Sequence, residues 1–303
     1  MPELPDILAY VDALGARIAG AELRHIRIRD PFVLRSVDPS PEDLAGRKVL
    51  RVGHVGKRIA IELEGERFIV IHLMIAGRFR WESAPPRAAG KQVLALFEFE
   101  TGTLVMTEAG SRRRASILLA AGSGALRDLD RGGLDPIRAP ADAFAARLRS
   151  ENHTLKRALT DPRLFSGIGN AYSDEILHRA ALSPLLLTSK LTDEQADRLR
   201  NATVSVLTEW IDRLRAEAAK KFPEKVTAFR PEMAVHGKFE TPCPVCGTPV
   251  QRIVYADNET NYCPQCQTGG RLLADRALSR LLHDDWPRSL EEMEEGLERR
   301  KGG

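Results

Sequence analysis

Residues 152–184 read NHTLKRALTDPRLFSGIGNAYSDEILHRAALSP, two helical patterns broken by a short segment rich in Asp, Pro and Gly. Gly167 and Gly169 bracket Ile168 in a turn, and Asn170 opens a helix whose first turn is expected to carry the acidic pair Asp174 and Glu175. A glycine turn leaves backbone amides unobstructed at a helix start, where a phosphate is held by N–H groups and the helix dipole. Lys156, just upstream, would add a cation. A plain helix-turn-helix corner accounts for the same glycines, so from these residues alone both readings stand.

Downstream, CPVCGTPVQRIVYADNETNYCPQC holds all four cysteines, Cys243, Cys246, Cys263 and Cys266, as two Cys-x-x-Cys pairs. Each pair puts two thiolates on one side of a tight turn, and the intervening stretch folds back as a hairpin that joins the pairs around one structural Zn2+. A chain with no thiol outside this block reads as reduced, which argues against two disulfides. Four sulfur ligands leave no open position for a substrate, so any chemistry lies elsewhere.

Upstream, 131–140 (RGGLDPIRAP) reads as a linker. Between about residues 20 and 120, bursts such as RIAIELEG, RFIVIHLM and VLALFEFE alternate with Gly, Pro and Asp, as strands of an antiparallel sandwich or barrel do. PDILAYVDALGARIAG at the start has helical spacing at Ile7, Leu8, Val11 and Leu14. The expected architecture is α+β and multidomain, with a β-sandwich at 1–130, a linker at 131–142, a helical domain at 143–232, a zinc ribbon at 233–270 and a helical tail at 271–303. The chain has 303 residues, 43% of them hydrophobic, and a net charge of +3, which permits a polyanionic partner without demanding one. No apolar run approaches a membrane span and no leader is visible, so the cytoplasm and no membrane partner are expected.

PELPD at the N-terminus, the 152–184 segment, and CPVC with YCPQCQ resemble, in order, the motifs of the formamidopyrimidine-DNA glycosylase and endonuclease VIII family. The resemblance implies a β-sandwich with flanking helices, a helix-two-turn-helix domain that grips DNA through Lys156 and Asn170, and a zinc ribbon as a second DNA clamp. It also implies a damaged or abasic DNA partner, a monomer, and a bacterial, nucleoid-associated setting. Removal of Met1 would expose the secondary amine of Pro2. An α-amino group titrates near 8, so a free-base fraction attacks a sugar C1′ at neutral pH. Glu3 would serve as general acid and base, and Lys57 would neutralise developing charge.

Four departures from the family pattern bear on substrate choice. The methionine that fills the gap left by a flipped nucleotide aligns with Ile75, with Met74 one residue earlier, an offset that would turn a strand side chain to the other face. The Arg-Arg-Phe-Gly loop is Arg112, Arg113, Arg114 and Ala115 here, so the wedge phenylalanine is an arginine. The zinc hairpin has Asn258 in place of the family's phosphate-binding arginine, with Arg252 on the opposite strand as the nearest substitute. The glycine-rich loop over the lesion is replaced by KKFPEKVTAFRPEM. The expected activity is a DNA glycosylase with apurinic/apyrimidinic lyase activity and altered lesion choice. The alternative is a non-catalytic binder of damaged or structured DNA on the same scaffold.

Overall fold

The computed structural model describes residues 1–86, 90–110, 112–122, 124–255, 258–273, Ser289 and Glu292. They form two compact units, 1–133 with 207–228, and 134–206 with the residues from 229 onward.

The first unit opens with α1 (Leu4–Ile18) and β1 (Glu22–Ile28), then a 3-10 turn at Pro31–Val33 and the short α2 (Pro41–Leu44). There follow β2 (Arg47–Val55), β3 (Arg58–Leu63), β4 (Arg67–His72), β5 (Gly77–Glu82), β6 (Val93–Phe99), β7 (Gly102–Glu108) and β8 (Ser116–Ala121). The strands run in the order β5-β7-β6-β1-β2-β3-β4-β8, all antiparallel. β1 meets β2 over only Glu22–Lys48 and Leu23–Arg47, and there the sheet folds into two layers. Phe79, Phe97 and Met106 from one layer share a core with Ile59, Ile61 and Ile71 from the other, which makes the unit a sandwich.

Helix α1 adds Ile7, Tyr10, Leu14 and Ile18 to this core, a spacing of three and four that keeps one face inward. Each such side chain contributes about 1.5–3 kcal/mol by leaving water. Strand β4 is apolar from Phe68 to Ile71 because both its faces are covered there. Ile69 and Ile71 enter the main core, while Phe68 and Val70 pack in a second cluster with Ala60 and Ala120.

The second unit holds α3 (Ala141–Arg149), α4 (Leu155–Thr160), α5 (Asn170–Arg179) and the start of α6 (Asp193–Lys220). The hairpin of β9 (Gln251–Tyr255) and β10 (Asn258–Tyr262) follows, then α7 (Pro264–Thr268). Phe144 and Phe165 pack with ring centroids 4.5 Å apart at its centre. The last part of α6 belongs to the first unit, where Leu214, Ala218, Phe222 and Val226 share the core with α1.

Two expectations change. Asp174 and Glu175 lie in the second turn of α5, which begins at Asn170, and both are buried. Met74 and Ile75 sit in a turn between β4 and β5, so the reasoning from alternating strand faces does not apply there. The segment in place of the glycine-rich loop is anchored, with Phe222 against Tyr10 (6.0 Å) and Trp81 (6.4 Å). The expected helical tail at 271–303 falls almost wholly outside the described residues. Among the described residues, no helix is long and apolar enough to cross a membrane.

Candidate functional site

In the first unit the N-terminus runs directly into α1. Glu3 is the residue before the helix, its N–H donating to Asp6 Oδ2 at 3.0 Å, and Pro5 stands in the first turn, where the missing N–H costs nothing. Pro2 and Glu3 are buried, while Met1 is 38% exposed. Burial lowers the terminal ammonium below its ordinary 8.0, opposed by the Glu3 carboxylate and reinforced by the charges of Arg78 and Lys57.

Lys57 lies in the two-residue turn joining β2 to β3. Gly56, the first turn residue, has φ +56°, a conformation glycine adopts without steric cost. Desolvation lowers Lys57 too, with Glu3 as the opposing charge. His72, at the end of β4, is pushed down to about 4 by burial and by the charges of Arg58 and Lys57. Its Nδ1 accepts the Met74 N–H at 3.0 Å, so the neutral ring carries its proton on Nε2.

The turn after His72 is built tightly. Met74 has φ +51°, Gly77 N–H donates to the Leu73 carbonyl at 2.9 Å, and a Cβ on Gly77 would lie 2.3 Å from that oxygen. Arg78 donates to the carbonyls of Ile75 (3.0 Å) and Gly77 (2.6 Å). The turn displays Ile75, 58% exposed.

The arginine loop is equally braced. The Glu108 carboxylate accepts the N–H groups of Arg114 (3.0 Å) and Ala115 (3.1 Å). Arg113 donates along the surface to Asp30 Oδ2 at 2.5 Å and to the Lys91 carbonyl at 2.6 Å. Arg112, Arg113 and Arg114 are all exposed.

In the second unit Gly167 has φ +83° and Gly169 precedes α5, so the glycine turn stands at a helix start. Lys156 Nζ donates to the Asn170 carbonyl at 2.7 Å and to the Asp174 carboxylate. Asp174 also takes His236 Nδ1 at 2.8 Å and Asn261 Nδ2 at 3.4 Å. Asn170 Nδ2 donates to the Glu259 carbonyl at 2.8 Å. Glu175 accepts the N–H groups of Ala234, Val235 and His236 at 2.8, 2.9 and 2.9 Å. The acidic pair thus fastens α5 to the segment entering the zinc ribbon. Sequence reasoning assigned no such role to this pair or to His236, because the partners lie roughly sixty to ninety residues away.

The four cysteine sulfurs cluster with Cys246–Cys263 and Cys246–Cys266 separations of 3.4 Å and a Cys243–Cys266 separation of 3.9 Å. A tetrahedron with Zn–S bonds of about 2.3 Å has edges of about 3.8 Å, so the cluster fits one structural zinc ion. Burial pushes the metal-free Cys263 thiol up to about 11, and the metal's charge is what holds such groups as thiolates. His178 Nε2 lies 3.2 Å from Cys243 Sγ, a second-layer contact absent from the sequence reading. Asn258 is exposed at the start of β10. Arg252 pairs with Glu259 at 3.2 Å and lies over the Phe239 ring at 4.3 Å.

Three family models match the chain. They are the formamidopyrimidine-DNA glycosylase N-terminal domain over residues 1–117, its H2TH domain over 133–220, and the zinc finger found in FPG and IleRS over 241–269. The formamidopyrimidine-DNA glycosylase of Thermus thermophilus is 34% identical over 284 residues, covering 89% of this chain and 100% of the relative. That of Solibacter usitatus is 33% identical, covering 88% and 99%. An uncharacterized formamidopyrimidine-DNA glycosylase-like protein of Mycobacterium tuberculosis is 42% identical over 151 residues, covering 50% of this chain and 93% of that protein. Among solved structures, a Lactococcus lactis FPG mutant with Fapy-dG containing DNA superposes with a TM-score of 0.78 at 23% identity, covering 88% of this chain and 100% of that one. MutM in complex with carbocyclic 8-oxo-G containing DNA gives 0.77 at 24%, covering 88% and 100%.

Proposed function

The chain belongs to the formamidopyrimidine-DNA glycosylase family, and from that premise we propose that it excises damaged bases from DNA and then cleaves the abasic strand through an imine at Pro2. The observation that carries this reading is the buried Pro2–Glu3 step, preceded by a Met1 amine that burial desolvates with Lys57 and Arg78 within electrostatic reach. Pro2 is more buried than Met1, and it sits at the positive end of α1, which further disfavours a charged amine. Once Met1 is removed, the neutral Pro2 nitrogen attacks C1′ and the base departs with the glycosidic electron pair. Glu3 protonates the opening sugar oxygen, and the nitrogen loses its proton as the imine forms. Glu3 in its carboxylate form then removes the C2′ proton for elimination of the 3′ phosphate. Lys57 offsets charge on the sugar and phosphate.

Lys156 and Asn170 position the DNA backbone. Lys156 has three N–H donors and spends two on Asn170 and Asp174, which leaves one for a phosphate oxygen. The protein acts as a monomer on DNA in the nucleoid. Exposed Ile75 is the apolar wedge, and Arg114, in place of phenylalanine, adds no apolar surface. The enzyme therefore recovers less of the few kcal/mol that base extrusion costs and favours bases already unpaired or distorted. Excision rates for one lesion in single-stranded, bubble and paired DNA test this preference, and equal rates refute it.

A chain that keeps Met1 has an amide at Pro2, and the binder reading then holds. Borohydride trapping on an abasic duplex separates the two. The processed protein is expected to form a covalent adduct, and the Met1-retaining protein is not.

A further inference from the structure

Three loops leave the sandwich at the same end of the β4–β8 pair. His72 pairs with Ser116, so the Ile75 turn and the Arg112–Ala115 loop depart from neighbouring strand ends. Lys57 is at that end as well, since Ile59 pairs with Ile71. On the other side of β8, Leu34 bridges Ile117 in parallel, so residues just before Leu34 run beside those just before Ile117. Those residues are Pro31–Val33, and Phe32 among them is 80% exposed.

The Phe32 turn is held at every side. Asp30 Oδ1 accepts the Phe32 N–H at 3.1 Å, and Asp30 Oδ2 takes Arg113 at 2.5 Å, which ties the turn to the arginine loop. That guanidinium holds the Asp30 carboxyl below its ordinary range. Val33 is 3% exposed and anchors the turn in the main core. Arg35 N–H donates to the Ile117 carbonyl at 2.8 Å and Leu119 N–H to Ser36 Oγ at 2.8 Å. Arg29 and Arg35 beside Phe32, and Arg112 and Arg114 across β8, are all exposed. An exposed aromatic ring on a braced turn among exposed cations is an arrangement that takes a nucleobase, with the arginines on phosphates and the ring on the base's π-face.

We propose that Phe32 stacks on a nucleobase exposed in the bound DNA, beside the nucleotide presented to the N-terminal site. The proposal rests on the DNA-repair reading above and adds a base contact from a loop outside the family's motifs. Fixing the turn in advance means that stacking costs little ordering entropy.

The test uses the full chain, wild type against Phe32→Ala and Phe32→Trp, on a fluorescein-labelled duplex containing one stable abasic analogue. Phe32→Ala is expected to bind about 5- to 150-fold more weakly, the effect of losing a stacking contact of about 1–3 kcal/mol. The slope of log affinity against log salt should stay unchanged, because no phosphate contact is removed. Phe32→Trp is expected to restore affinity, with its indole fluorescence quenched on binding. Zinc content and thermal melting should match wild type in both. Phe32→Ala binding within twofold of wild type, or an unquenched indole in a Phe32→Trp protein that binds normally, overturns the proposal. Wild type that fails to bind the duplex overturns the DNA-repair reading itself and this inference with it.

Discussion

Lys57 and Lys156 are both half-buried, and the fold treats them in opposite ways. Lys156 is clamped between the Asp174 carboxylate and the Asn170 carbonyl. Lys57 lies where burial drives basic groups toward neutrality, together with the N-terminal amine and His72. On the proposed reading, one region holds a cation against phosphate, while the other places the terminal nitrogen where its free-base form is favoured. The proposed function thus assigns holding DNA and reacting with it to different electrostatic environments, and each assignment can be broken without the other.

The largest expected effect is at Glu3. Glu3→Gln keeps the shape and loses proton transfer, so single-turnover excision should fall by about 10²–10⁴-fold while DNA affinity stays within a few fold. Equal loss of affinity would mean that Glu3 acts in binding.

Cys263→Ser reaches the other region. With three thiolates the site should release its zinc, seen by metal analysis, and the β9–β10 hairpin should lose order, because such modules draw most of their folding energy from the metal. Glu259 and Asn261 on β10 bond Asn170 and Asp174, so DNA affinity should drop with the hairpin. A zinc-free variant that binds DNA like wild type would break this link.

Asp174→Asn is milder. It removes the charge that Lys156 and His236 share, and loss of one buried charge-assisted partner is worth about 1.5–3 kcal/mol, so affinity should weaken by about 10- to 150-fold with excision at saturating DNA preserved. Unchanged affinity would show that Lys156 is placed by other means.

The smallest effect is on stability. His72 titrates at about 4 in the fold against 6.5 in the unfolded chain. Between those values the unfolded chain binds the extra proton, so stability falls as pH drops through that window. His72→Asn keeps an acceptor for the Met74 N–H and cannot titrate, so its Tm should fall less than that of wild type between pH 7 and pH 4.5. Parallel losses would assign the acid sensitivity to other groups.

Much of the second region could be read from the sequence, because its signals are local. Cysteine spacing marked the metal site, and the glycines around Ile168 marked the helix start, since only glycine accepts φ +83° at Gly167 without strain. The bracing through Asp174, Glu175, His236 and Asn261 could not be read, because the pairing partners are distant and helical periodicity is silent about them. The first region was less legible. Strand bursts indicated a sandwich, but the resemblance, not composition, marked Pro2, Glu3 and Lys57. An alternating-face rule did not apply to Ile75 because β4 ends at His72 and the chain turns there, a turn with no room for a side chain at Gly77. The passage of α6 from one core to the other near residue 207 leaves its apolar period unchanged and gives no sequence signal.

The claim that the buried amine of Pro2 is the reacting group is tested most directly by peptide mass spectrometry of the borohydride-reduced adduct on abasic DNA. The account predicts that Met1 is absent and that the sugar remnant sits on the Pro2 nitrogen, with trapping that increases as pH rises and the amine loses its proton. An adduct on Lys57 or another lysine, or no adduct from a protein whose N-terminus is confirmed as Pro2, would contradict it.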